Sequence, residues 1–231
     1  MNKSSINHDP GRRLAIQLLT AGFCGAAVAT LPGCSLGVMF GKMIAGEPLV
    51  PAEFRKMTKD DLTKGKHTVL VVCTAPETID SENSTLAYDV IDGVTRRMKL
   101  HGINVVNPDL VANYLDMNGG GDIEPTQLAE EFDPDYIIVI EIQHFSFREP
   151  NSPKLLRGQS SGIVRVVEVS EINGHKLASS VFGTEFSSTY PIHQPVSEQG
   201  RSSLIFQKEY MDRFCTQLAE KFYDHRPGGD I

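Results

Sequence analysis

The chain has 231 residues, 40% hydrophobic and 22% charged, a balance that excludes a disordered or collagen-like protein. Its formal net charge is −7, and beyond residue 34 it is −9, from 19 basic and 28 acidic residues. Such overall charge disfavours nucleic acid and anionic lipid, and no basic run interleaved with aromatics offsets the repulsion.

Arg12 and Arg13 close a polar leader, after which Leu14 to Ala29 read LAIQLLTAGFCGAAVA. This apolar stretch is shorter than the ~18 residues of a spanning helix. A positive flank, an apolar centre and a small-residue exit define a secretory signal. The exit, Leu31-Pro32-Gly33-Cys34, resembles the lipobox of bacterial lipoproteins. That resemblance implies a signal peptide over 1–33, lipid attached to Cys34, and a periplasm-facing protein of the cell envelope. Pro32 departs from the family's preference for Ala, Ser, Thr or Val at that position. Ser35, in place of Asp, implies the outer membrane in a host with two membranes. Several acyl chains anchor stably where one binds marginally.

Residues 34–66 read as a lipidated cysteine and tether, with Gly37, Gly41, Gly46, Pro48 and Pro51 weakening any helix. The domain is expected over 67–231. Thr68 to Cys73 is a short β-branched apolar run, as for a strand covered on both faces. Ser84 is a candidate N-cap for a helix to about His101, with Leu86, Val90, Val94 and Met98 on one stripe. Ile103 to Val106 is a second strand, and Pro108 and Pro125 each open a short helix. Tyr136 to Phe147 is the strongest strand, followed by an expected long loop around 145–153. Gly162 to Ile172 and Lys176 to Tyr190 form a hairpin through Asn173-Gly174. A last helix runs from near Ser202 to Asp224, with Met211, Phe214, Cys215, Leu218 and Phe222 at helical spacing. The expected fold is α/β, a mixed β-sheet with packed helices in the order β-α-β-α-α-β-β-β-α.

That order behind a lipobox resembles the amino-terminal domain of TolB, the curli-secretion lipoprotein CsgG and the lipoprotein activators of penicillin-binding proteins. The resemblance is carried by residues 68–73, Gly102 to Pro108 and Asp135 to Ile142, and it implies a domain that binds proteins or assembles in the envelope without catalysing a reaction. The chain lacks the pore-forming insertions of the secretion channel.

The residues offer little chemistry. No two of the four cysteines stand as C-x-x-C and no His repeat has zinc spacing, so no metal or cofactor is expected. Cys73 and Cys215 read as buried thiols, with a disulfide as the alternative. The glycine run 119–121 lacks a following Lys-Ser or Lys-Thr, and Asp122 and Glu124 would repel phosphate. Glu141 and His144, three apart on a strand, are expected on opposite faces. Ser160 and Ser161 lack the pattern of a nucleophile elbow. Pro191 and Pro195 stiffen the segment Tyr190 to Val196, read either as a crossover or as a loop displaying Tyr190, Ile192 and His193 to a partner. The expectation is a membrane-tethered, non-enzymatic module that recruits or scaffolds an envelope protein complex. The alternative is a small-molecule or glycan-binding module, which needs a pocket near 74–84 and 107–109.

Overall fold

The computed structural model describes residues 48–118 and 124–227; Cys34 and Asp122 lie outside them. Residues Val69 to Cys73 are all buried, making Thr68–Thr74 (β1) a strand covered on both faces, as its unbroken apolar run predicts. It pairs in parallel with Asn104–Val105 (β2) and Tyr136–Glu149 (β3). From β3 the sheet continues antiparallel through Ser152–Ile172 (β4) to His175–Tyr190 (β5), and Val196–Ser197 (β6) adds a short pair to β4. The expected mixed sheet is present, in the order β2-β1-β3-β4-β5. Asn173 and Gly174 turn the β4–β5 hairpin with φ of 55° and 81°, the left-handed conformation that this dipeptide favours. A second hairpin replaces the expected loop around 145–153: Glu149 pairs with Ser152, and Asn151 takes a φ of 60° at the turn. Prolines at 150 and 153 hid it, although a proline is tolerated at a turn or a strand's end.

Helices cover both faces. On one face lie Glu53–Thr58 (α1), Leu86–Leu100 (α3) and Ser203–Ala219 (α6), whose Phe54, Val90, Val94, Met98, Phe214 and Leu218 pack in one core with Val69, Val71, Ile138 and Ile140. On the other lie Pro108–Met117 (α4) and Pro125–Phe132 (α5), where Val111 and Leu128 meet Leu70, Val72 and Ile137. A short helix, Glu77–Glu82 (α2), precedes α3, which starts after Thr85 and not after Ser84. Helices α3 and α6 approach closely at Gly93, where an added Cβ would stand 2.6 Å from the Cys215 sulfur.

The first segment of the domain differs from the expected tether. From Leu49 onward the chain belongs to the folded unit. Val50 and His225 exchange backbone hydrogen bonds at 2.8 and 3.1 Å, and the Ala52 N–H donates to the Asp224 carboxylate at 3.0 Å. Phe54 is fully buried, with its ring 5.5 Å from Tyr136, 5.8 Å from Phe182 and 6.1 Å from Phe222. Leu62, in a 3-10 turn over Leu62–Lys64, is fully buried as well. One aromatic and one leucine, placed among prolines and lysines, together with these hydrogen bonds fasten a segment whose composition reads as linker.

Two carboxylates brace this segment. Asp61 accepts from the Thr63 hydroxyl at 2.6 Å and from its N–H at 3.1 Å. The Thr63 hydroxyl, with help from its N–H, Lys64 and Arg55, holds that carboxyl below its ordinary range although burial opposes this. At Asp60 burial raises the pKa, but the Tyr136 hydroxyl at 2.9 Å, the Asp61 N–H at 2.8 Å and His67 outweigh it and keep the value low. A carboxyl with a lower pKa in the folded chain stabilises the fold above its unfolded pKa, and that contribution is lost as pH falls through the folded value. Unfolding free energy should therefore drop below about pH 4. The drop should be shallower in Asp61→Asn, as measured by urea titration across pH; equal slopes in the two proteins would refute the linkage.

Candidate functional site

The prolines at 191 and 195 frame a loop between β5 and α6. Its first residue is not displayed: the Tyr190 ring stacks on Phe206 with centroids 6.1 Å apart, and its hydroxyl donates to Glu209 at 2.9 Å. The Arg213 guanidinium covers the ring at 4.3 Å. Tyr190 thus fastens the loop to α6, where the sequence reading had it exposed beside Ile192 and His193. Those two are exposed, Ile192 by 72%, while the Ile192 carbonyl accepts from Arg157 at 2.7 Å. Arg157 is itself ion-paired with Glu149 at 3.2 Å, so the loop is held from both sides.

The helix that this loop leads into begins with two further exposed apolar residues, Leu204 at 77% and Ile205 at 61%. Sequence reasoning passed over them, yet the signal was present. Buried positions 206, 210, 214 and 218 form one ladder of α6, and 204 and 205 fall off it. Leu204 lies on the rim of a groove of about 570 Å³ between the first halves of α3 and α6. Asn83, Ser84 and Thr85 close one end, Phe147 and Met211 supply apolar wall, and Asp92, Arg96 and Lys208 line it with both signs of charge. Its position beyond Thr74 is near the place where the alternative reading needs a pocket.

The opposite face of the sheet is open at Gln143, His144, Arg165 and Glu185, beyond the part where Val167 and Val169 pack against the core under α5. A bulge between Ile142 and His144 lets Ile142 and Phe145 both turn inward, leaving Gln143 and His144 exposed together. Glu141 and His144 consequently share the outer face, where strict alternation predicts opposite faces. They still do not form a dyad. Glu141 is ion-paired with Arg165, and His144 sits further along, opposite Ser161. Ser160 faces inward and accepts from the Tyr210 hydroxyl at 2.8 Å.

Cys73 and Cys215 are buried as thiols, not joined as a disulfide. Burial pushes the Cys215 thiol up to about 12, which leaves it protonated and a poor nucleophile at neutral pH. Among the described residues no three His, Cys, Asp or Glu side chains are grouped to hold a metal, and no helix is long and apolar enough to cross a membrane.

Neither a protein-family model nor a curated protein sequence matches the chain. Solved structures do. Lipoprotein GNA1162 from Neisseria meningitidis is similar at 16% identity, covering 66% of this chain and 96% of that one, with a TM-score of 0.36. The PelC dodecamer from Paraburkholderia phytofirmans is similar at 11% identity over 71% of this chain and 92% of that one, with a TM-score of 0.38. A minor lipoprotein from Acinetobacter baumannii is similar at 11% identity over 67% of this chain and 89% of that one, with a TM-score of 0.27.

Proposed function

We propose that this chain is a lipid-anchored protein of the bacterial envelope, facing the periplasm, whose α/β domain binds a protein partner and scaffolds a complex. On this reading the resemblance to the TolB, CsgG and penicillin-binding-protein activator group is one of shared architecture put to binding. One observation carries the proposal. Ile192, Leu204 and Ile205 are large, apolar and solvated, on a loop and a helix that Tyr190 ties together. Apolar tips on a preorganised support lose little freedom when a partner covers them, which is the character of binding hot spots. A photo-crosslinking residue at Ile192 or Leu204 should give a discrete adduct in native membranes, and one at Glu185 on the open face should not. The proposal fails if Glu185 alone crosslinks. A small-molecule or glycan ligand is the second reading, favoured by the polar rim of the groove at Asn83 to Thr85.

The anchor has its own test. Cys34→Ala should release the protein from the membrane fraction or leave a slower-migrating precursor. If a fatty-acid analogue labels wild type and variant equally, Cys34 is not the acylated residue.

A further inference from the structure

We infer that the pole of the domain where the chain joins it is a docking surface for an anionic lipid bilayer, presented by α1, the 3-10 turn and the last turn of α3. The inference rests on the lipid anchor proposed at Cys34 and adds an orientation to it.

Lys56 and Lys59 project from α1 and its end, Lys64 closes the 3-10 turn and Lys66 follows it, and all four are exposed. The two segments adjoin because Arg55 and Lys64 converge on Asp61, at 3.6 and 3.7 Å. The end of α3 adjoins them in turn: a Cβ on Gly102 would lie 3.3 Å from the Thr63 carbonyl, and one on Gly65 3.8 Å from the Gly102 carbonyl. That brings in exposed Lys99 and, beside it, Leu100, 79% exposed. Met57, 60% exposed, stands among the lysines of α1. Apolar tips beside ammonium groups are the pair of features by which a peripheral surface meets headgroups.

The acidic residues of the same segments are each paired or hydrogen-bonded, Glu53 while remaining exposed. Glu53 is paired with Lys221 at 3.0 Å, Asp60 accepts from Tyr136, and Asp61 is held by Thr63 and Arg55. On the β3 side of the pole, Asp133 is paired with Lys176, while Asp135, half exposed, accepts from the Thr68 N–H at 2.6 Å and lies 4.0 Å from His67, next to Lys66. Exposed Glu168 and Glu171 lie on that acidic side, near the β4–β5 turn, so the bilayer attracts one side of the pole and repels the other. The domain tilts onto α1.

The net charge of −9 beyond residue 34 opposes approach from a distance but does not decide this contact. At physiological ionic strength charges beyond roughly 8 Å are screened, so the nearest side chains dominate. The anchor supplies the approach. Fifteen residues from Cys34 to Leu49 span at most about 50 Å, which holds the domain at high effective concentration over the surface.

The test uses the acylated full chain bound to vesicles of phosphatidylcholine, alone or with about one third phosphatidylglycerol. Hydrogen exchange is followed over residues 53–66. On anionic vesicles exchange there should slow by about threefold or more relative to neutral ones, while residues 203–211 stay unchanged. The slowing should vanish at high salt and in the variant Lys56→Gln/Lys64→Gln/Lys66→Gln/Lys99→Gln, which still floats with both vesicles. Equal exchange on both vesicles, with flotation intact, overturns the docking surface and leaves the anchor standing. Failure to float with either overturns the anchor and the orientation built on it.

Discussion

Phe54→Ala will destabilise the domain by about 3–5 kcal/mol, the range for emptying a buried phenylalanine site. The ring is fully buried between Tyr136 at the start of β3, Phe182 of β5 and Phe222 beyond α6. Three separate parts of the chain meet there, and Tyr136 and Phe182 cannot collapse into the void without leaving their strands. The backbone tells the same way: the Phe54 N–H donates to the Lys221 carbonyl at 3.0 Å, and Arg55 holds Asp224 at 2.6 Å. The loss should appear in urea titration of the purified protein as a lower midpoint with an unchanged slope. A change within about 0.5 kcal/mol would return residues 49–58 to the status of a tether. Removing residues up to Thr58 should be at least as damaging, whereas a tether could be removed without consequence to the fold.

Legibility followed the physical signal. Strand β1, the start of β3, the Asn173-Gly174 turn and the stripes of α3 and α6 were readable because burial on one or both faces imposes a period, and a two-residue turn imposes its own residue types. Segment 49–66 was not readable. Its attachment depends on two apolar side chains and a set of hydrogen bonds to residues 221–225, about 170 positions away, and no local period records such a pairing. The bulge at Gln143-His144 was hidden for a related reason, since one extra residue in a strand leaves composition unchanged while it reverses the facing of everything beyond. For the candidate site, the prolines marked the loop correctly but could not tell which of its side chains turns inward. Tyr190 turned in because Phe206, Glu209 and Arg213 sit within one turn or two of each other on α6 and together satisfy ring and hydroxyl.

Gly158→Ala should be nearly as damaging as the loss of Phe54, by the opposite mechanism. The Tyr210 ring lies against the bare backbone of Gly158, and a Cβ there would stand inside the ring's van der Waals envelope. The ring has nowhere to retreat. It is fully buried, stacked on Phe214 at 6.1 Å and 7°, with Phe145 at 5.9 Å and Phe147 at 6.0 Å around it. Its hydroxyl is also committed, donating to buried Ser160 at 2.8 Å, and burial pushes its pKa up to about 12, so it remains a donor. Overpacking of this kind costs about 1–3 kcal/mol, and the upper end is expected where neither backbone nor ring can yield. Gly183, on the neighbouring strand, has no atom within 4 Å of an added Cβ, so Gly183→Ala should change stability by less than about 0.5 kcal/mol. Steric origin is tested by combining Gly158→Ala with Tyr210→Leu. If the clash is the cause, the double variant will be more stable than the two losses summed, because the second substitution removes what the first collides with. Strict additivity would show that Gly158 matters for its backbone conformation and not for the ring it lets in.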